Sequence, residues 1–309
     1  RLNNNQAFTL EEFNHVVAHY NIDTSTLFNP VPVSAEEGEM LNLDCKSFVD
    51  KTLESWLNAV LLPFDKTKYK FFLSTNNFPV LLGMDFPDLI KLKIYLSAKT
   101  QWLHKGFQHL AFDKDAVIYE NVPKYAAKIS HLFSQMPSIE VWGNNTLIGF
   151  IRQIDKLYKS QLIDQSQCMH FSEQLSLLIK KINKFILTGE KRNYDSNELR
   201  TNKPSFVLVY NDTLTIDEYT LISWRENERY NSIVYHATLG FLSDCVQKLK
   251  VEQYFLQIQR EGYNMALDQN RDLFFDMVNT ELERYSALWK NHRIKKGKFP
   301  LSYIKSKHF

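Results

Sequence analysis

Residues 171–188 read FSEQLSLLIKKINKFILT, and Gly189 follows. Leu175, Leu178, Ile179, Ile182, Phe185 and Ile186 recur every three or four positions, which is one face of an α-helix. Gly189 supplies the residue type that most readily takes the left-handed conformation ending such a helix. The same period runs backward through residues 146–163 as Leu147, Phe150, Ile151, Ile154, Leu157 and Tyr158. A shorter helix is expected from about Pro123, through Tyr125, Ile129, Leu132 and Phe133. Leu89, Leu92, Leu96, Trp102, Phe107 and Leu110 predict a long helix capped by Asp85, with Pro87 in its first turn. Phe48, Leu53, Trp56, Leu57, Val60 and Leu61 predict another, stopped by Pro63. Thr9-Leu10-Glu11-Glu12 is a capping box that would open a first helix reaching about Tyr20. Residues 21–41, with Pro30 and Pro32, read as a loop.

Forward of Gly189 the pattern breaks. Residues 189–204, GEKRNYDSNELRTNKP, are polar and read as an exposed loop. Phe206-Val207-Leu208-Val209-Tyr210 is the strongest strand signal, and Leu214-Thr215-Ile216 would return beside it. A rival reading opens a helix at Thr215, because Thr215-Ile216-Asp217-Glu218 is another capping box. Helical stripes resume from Tyr230. They run through Ile233, Val234, Ala237, Leu239, Leu242 and Val246, then through Val251, Tyr254, Phe255 and Ile258. The last holds Leu273, Phe274, Met277, Val278, Leu282, Tyr285 and Leu288, ending near Trp289.

The predicted fold is therefore mainly α. It is an irregular array of about eight to ten helices, with at most one small β-hairpin near 205–216. No fixed-period repeat is present. One helical domain over 1–309 is expected, with a weak division at 189–204 between 1–188 and 205–289, and a basic tail at 290–309. Composition agrees. Hydrophobic residues are 44% and charged residues 23% of 309, enough for a packed core. Only 9 glycines occur, which disfavours folds built on many tight turns, all-β and doubly wound α/β alike.

Those glycines also remove several chemistries. The nearest pair, Gly143 and Gly149, is six apart, so the dinucleotide fingerprint, the phosphate loop and the nucleophile elbow cannot be written. No Cys-x-x-Cys or His-Glu-x-x-His occurs. His15 and His19 share a helical face, and Glu12 lies three before His15, but no second Glu-x-x-His completes a helical metal site. Cys168-Met169-His170 and Asp113-Lys114-Asp115 are isolated clusters. No catalytic, cofactor or metal residue is assigned, and no cofactor is expected. Arg229 and His236 have six residues between them, a spacing similar to the Arg–His pair of HEPN-type helical ribonucleases. That resemblance covers two residues and would need both on one helix.

The chain opens on Arg1-Leu2-Asn3-Asn4-Asn5, which reads as a fragment or a processed product. Cys45, Cys168 and Cys245 are an odd set, which points to a reducing compartment, nucleus or cytoplasm. No apolar run approaches the roughly 18 residues of a membrane span. Net charge is +2, unevenly placed. Lys290, Arg293, Lys295, Lys296, Lys298, Lys305 and Lys307 fall in the last twenty residues with no acid among them, while the other 289 residues hold 30 basic against 35 acidic side chains. This tail is a candidate contact for nucleic acid or an import receptor. Trp142 and Trp289 are candidate anchors for a protein partner. The leading expectation is a non-catalytic scaffold or regulatory module of a larger intracellular complex. A nucleic-acid-associated subunit is the first alternative. An enzyme or an apolar-effector-binding domain with a spatially assembled pocket is the second.

Overall fold

Leu73-Ser74-Thr75 and Glu140-Val141-Trp142 lie side by side as parallel strands. The molecule is organised around them. The computed structural model describes residues 40–61, 69–191, 205–211, 219–225, 234–236, 263–265 and 268–291. The chain divides into two compact units, Arg1–Asn42 and Leu43–Phe309. In the first, the described residues 40–42 are helical. All that follows concerns the second.

Its elements in order are α1 (Cys45–Leu61), β1 (Tyr69–Thr75), α2 (Pro87–Thr100), α3 (Lys105–Gln108), α4 (Val122–Phe133), β2 (Ser138–Trp142), α5 (Ile148–Lys159), α6 (Gln165–Thr188), β3 (Phe206–Tyr210), β4 (Tyr219–Arg225), β5 (Val234–His236), β6 (Tyr263–Asn264) and α7 (Asp268–Asn291). Short 3-10 turns occupy Leu82–Asp85 and Val117–Tyr119. The described residues are mostly helical, as the spacing predicts. Gly189 ends α6 with φ +67, and Asp164 opens it with a full capping box to Gln167.

The sheet is larger than the expected hairpin. Six strands run in the order β5-β4-β1-β2-β3-β6. β1, β2 and β3 are parallel, and β4, β5 and β6 pair antiparallel with their neighbours. Phe206–Tyr210 is a strand as expected, but its partners are β2 and β6. Residues 214–216 lie outside the described residues. Val234 and His236 belong to strand β5, not to the helix expected from Tyr230. Residues 140–142, expected between two helices, finish β2.

Two parallel crossovers exist despite the scarcity of glycine. Asn76 Oδ1, after β1, accepts the Asn145 amide, after β2, at 3.0 Å, so a side chain ties the two connections together. The long helix expected from Asp85 to Leu110 is also broken. α2 begins at Pro87 after Phe86, and Asp85 bonds Ser130 and Lys181 instead of capping it. It stops at Thr100, and Leu103 takes φ +50. His104 then caps α3 through the Gly106 amide and holds Leu43 O at 2.9 Å. Lys99 Nζ on Phe107 O and Gln108 Nε2 on Lys99 O fold α3 back onto α2.

Register sets the faces. Phe206 stands beside Ser138, Leu73 and Leu208 beside Glu140, and Thr75 and Tyr210 beside Trp142, all on one side of the sheet. α6 meets this side through Phe185 on Phe206, ring centroids 5.9 Å apart. α7 meets it through Phe274, 5.8 Å from Trp142 and 5.2 Å from Tyr210. α6 and α7 run antiparallel, tied by Gln165 Nε2 to Lys290 O and by Ser172 Oγ to Ser286 Oγ. α7 is fixed to α5 by the Trp289 indole N–H on Asp155 Oδ1 at 3.2 Å.

Candidate functional site

Two arrangements on β2 carry chemistry. The first is at the carboxyl ends of the parallel strands. Thr75, Trp142 and Tyr210 are in register there, so the three connections leave the sheet together as Asn76-Asn77, Gly143-Asn144-Asn145-Thr146-Leu147 and Asn211. They are cross-tied. The Gly143 amide donates to Thr75 O at 3.0 Å and the Thr146 hydroxyl to the same oxygen at 2.7 Å. The Leu147 amide donates to Asn77 O at 2.8 Å, and the Asn211 amide to Trp142 O at 2.9 Å. Leu147 sits at φ +66, ψ −43, just before α5. A bulky residue rarely adopts that backbone, and it persists where the surroundings over-determine it. Here the Asn77 bond and complete burial of the Leu147 side chain hold it. Asn144 and Asn145 are exposed at this edge, and no described residue of the three connections is charged.

Gly143 is required by contact. A Cβ there would lie 2.4 Å from Asn76 Oδ1, the atom that holds the Asn145 amide. Gly143→Ala is expected to break that bond and cost about 1–2 kcal/mol. Asn76→Ala removes the same bond, so the pair should be strongly non-additive in a double-mutant cycle read by urea denaturation. Simple additivity would mean the two residues do not act through this contact.

The second arrangement is buried. Ser138, Glu140 and Trp142 alternate onto the side of β2 that faces the helices, and Glu140 is 2% exposed. Its Oε2 accepts the Trp142 indole N–H at 2.9 Å. Lys191, also 2% exposed, places Nζ 3.5 Å from the centre of the Phe133 ring. Its backbone reaches this place because Glu190 bridges Ser205, whose carbonyl takes the Ser138 amide. Glu140 Oε1, Ser138 Oγ and Lys191 Nζ have no hydrogen-bond partner among the described residues. Burial pushes the Glu140 carboxyl up to about 7, against the Trp142 bond and the charges of Lys191 and Lys181. Burial likewise holds the Lys191 amine well below the usual lysine range, against the attraction of Glu140. Lys181, beside them, is occupied: Nζ bonds Asp85 Oδ2 and Leu82 O.

The residues singled out in the sequence fall elsewhere. Trp142 is 1% and Trp289 0% exposed, so neither is a surface anchor. Each indole N–H is spent on an internal carboxylate, because a large ring with a polar tip packs well where such an acceptor exists. Lys290 is exposed at the end of α7. Arg293, Lys295, Lys296, Lys298, Lys305 and Lys307 lie outside the described residues. So do Glu12, His15, His19, Cys245 and Arg229. His236 stands on strand β5 opposite Thr220, which removes the shared helix that the Arg229–His236 idea required. The Cys168 thiol is buried in α6 and pushed up to about 12 by that burial, so it is no ready nucleophile. His170 Nε2 meets Asp88 Oδ2 at 2.8 Å, joining α6 to α2. Asp113 and Asp115 form an exposed turn, with Asp113 Oδ1 on the Asp115 amide. Among the described residues no group of three or more His, Cys, Asp or Glu could hold a metal ion. Among the same residues no helix is long and apolar enough to cross a membrane.

Neither arrangement carries a sequence motif. One signal was available for the second: Ser-Ile-Glu-Val-Trp alternates, and the structure buries its polar positions. No protein-family model, no curated protein and no solved structure matches this chain.

Proposed function

We propose that the body of this chain is a ligand-handling domain whose ligand sits at the carboxyl edge of β1, β2 and β3. The site is spatially assembled, as in the sequence's second alternative, but its lining suits a polar ligand rather than the apolar effector named there. The observation that carries it is the convergence of three asparagine-bearing connections at one edge, locked by hydrogen bonds to the strand ends. In sheets with parallel strands, ligands bind beyond the carboxyl ends, where backbone groups and loop side chains meet. The chemistry offered is uncharged: the exposed amide side chains of Asn144 and Asn145, which both donate and accept. A small, neutral, polar ligand is the complement.

A second reading keeps the protein-interaction module, on a different surface. Leu273, Met277 and Leu288 are exposed on α7, with Leu273 at 73%. Spacings of four and eleven residues place them on one side of the helix, as an apolar stripe for a partner helix.

One experiment separates the two. The full chain is screened by thermal shift against nucleosides, monosaccharides and amino-acid amides, beside an Asn144→Ala/Asn145→Ala variant. Stabilisation by one class, lost in the variant at unchanged intrinsic stability, is the expected result. The edge proposal fails if no class binds, or if the variant binds equally well. Co-purification of a protein from nuclease-treated extract, lost on Leu273→Glu, would then put the interaction module in its place.

A further inference from the structure

α7 buries Phe274, Val278, Leu282, Tyr285 and Trp289. Turned away from them, Leu273, Met277, Arg284 and Leu288 are exposed at spacings of four, seven and four, one row along the helix. One flank of this row holds Glu281, which accepts Arg152 of α5 at 3.4 Å and Arg284 at 2.9 Å. α5 borders that flank and exposes Arg152, Lys156 and Lys159 at spacings of four and three, on a line of its own. Lys159 Nζ sits 2.6 Å from Asp155 Oδ2, on the same carboxylate that takes the Trp289 indole N–H. At about 100° per residue, Asp276 and Glu283 fall on the side of the row away from Glu281. Asp272, Asp276 and Glu283 are all exposed there at spacings of four and seven, and Lys290 continues their line. An apolar row therefore runs between a basic border and a mainly acidic one.

Such a surface is its own complement. A two-fold axis parallel to α7 lays the apolar row of one copy on that of another and turns each basic border against the other copy's acidic one. An antiparallel arrangement would set like borders against each other. We propose that a second copy of this chain docks here, α7 beside α7 and parallel. Leu273, Met277 and Leu288 then meet their counterparts, and Arg152 of each copy faces Glu283 of the other. Arg284 lies in the row, but two hydrogen bonds bend it back onto Glu281. Its charge is matched within its own copy, and its aliphatic stem is left to the contact. The row from Leu273 to Leu288 is about 22 Å of helix, so the interface is small and the dimer reversible. The inference names the partner of the interaction module given above as the second reading and rests on that reading, not on a ligand at the carboxyl edge.

The test is analytical ultracentrifugation of the full chain over about 1–100 µM, the range of small, weak interfaces. The mass is expected to rise from that of one chain toward that of two. Leu273→Glu, at a position already open to water, is expected to remain a single chain throughout, with an unchanged melting temperature. Arg152→Glu and Glu283→Arg are each expected to weaken association by about threefold. The double variant is expected to recover it. Within one copy the two residues lie on different helices and on opposite flanks of the row, so recovery reports a contact between copies. A wild-type chain that stays single over the whole range overturns the proposal. So does a dimer indifferent to Leu273→Glu, or a double variant no better than either single one. A single-chain result leaves the interaction module itself to the co-purification experiment, so the two fail separately.

Discussion

Trp289→Ala is expected to destabilise the chain by about 3–5 kcal/mol, the range for deleting a fully buried large aromatic. Trp289 is completely buried and stacks on Tyr285 at 5.8 Å between ring centres. Its indole N–H holds Asp155 across to α5. Truncation opens a cavity and also leaves a buried carboxylate with one fewer donor, Lys159 remaining on its other oxygen. Because a domain has about 5–15 kcal/mol in all, a loss of this size removes a large part of its stability. Urea denaturation gives the total, and limited proteolysis gives the place. α7 should become the first segment cleaved, as its other polar ties to α5 and α6 are partly exposed, Arg152 to Glu281, Ser172 to Ser286 and Gln165 to Lys290 O, leaving its buried apolar face to hold it. Trp289→Phe keeps most of the packing and loses only the donor, so it should cost about 1–2 kcal/mol. If Trp289→Ala shifts the transition by less than Trp289→Phe does, the docking account is wrong.

The second large effect is at Glu140 and Lys191. Glu140 and Lys191 make no direct ion pair, but each feels the other's charge inside the fold, so removing one leaves the other uncompensated, at a cost of up to about 3–5 kcal/mol. Lys191→Met and Glu140→Leu are each expected to fall in that range near neutral pH. The double substitution is expected to recover much of the loss, since apolar side chains of similar volume suit the surrounding Phe133, Leu73 and Leu208. The pH dependence has a definite sign. The Glu140 carboxyl is raised from its ordinary value of 4.5 to about 7 in the folded chain. The folded state therefore holds this proton more tightly than the unfolded state does. Its favourable contribution is complete below about 4.5 and is lost as pH rises through about 7. Lys191 has the opposite slope, because its folded value is depressed and the unfolded state binds more protons below 10.5. In Lys191→Met only the Glu140 slope remains. That variant should lose stability between about pH 5 and pH 7.5, at up to about 1.4 kcal/mol per pH unit. Stability of Lys191→Met that is flat over this interval would mean that Glu140 does not titrate there.

Much of the helical part was legible in the sequence for a plain reason. α1, α4, α5, α6 and α7 each bury one side, so their apolar residues repeat at the helical period. Caps and stops were equally local: Gly189 at the end of α6, Pro87 in the first turn of α2. The sheet was not legible. β2 buries Ser138 and Glu140 on its helix-facing side, and Val141 and Trp142 are buried as well, so its pattern of polar and apolar residues says nothing of inside and outside. β5 has three residues and β6 has two, below the length at which any period can be read. The scarcity of glycine did not exclude the parallel strands, because a single glycine, Gly143, leaves room for Asn76 to tie two of their connections together.

The candidate sites divide along the same line. Trp142 and Trp289 look like surface anchors only while their partners are unknown, and Glu140 and Asp155 are distant or unremarkable in sequence until the strands and helices pack. Lys191 looks like one more charge in a polar loop, and becomes a buried amine because the bridge of Glu190 to Ser205 brings it under the sheet. What the sequence alone determined is the mainly helical character, single helix limits such as Gly189 after α6 and Pro87 at the start of α2, and the absence of the common glycine-based motifs. These depend on residues within one or two turns of each other. The parallel strands, the asparagine edge and the Glu140–Lys191 cluster join residues about fifty to seventy positions apart. Pairing at that distance is selected by burial of β2 and β3 against α6 and α7, and only the tertiary structure decides it.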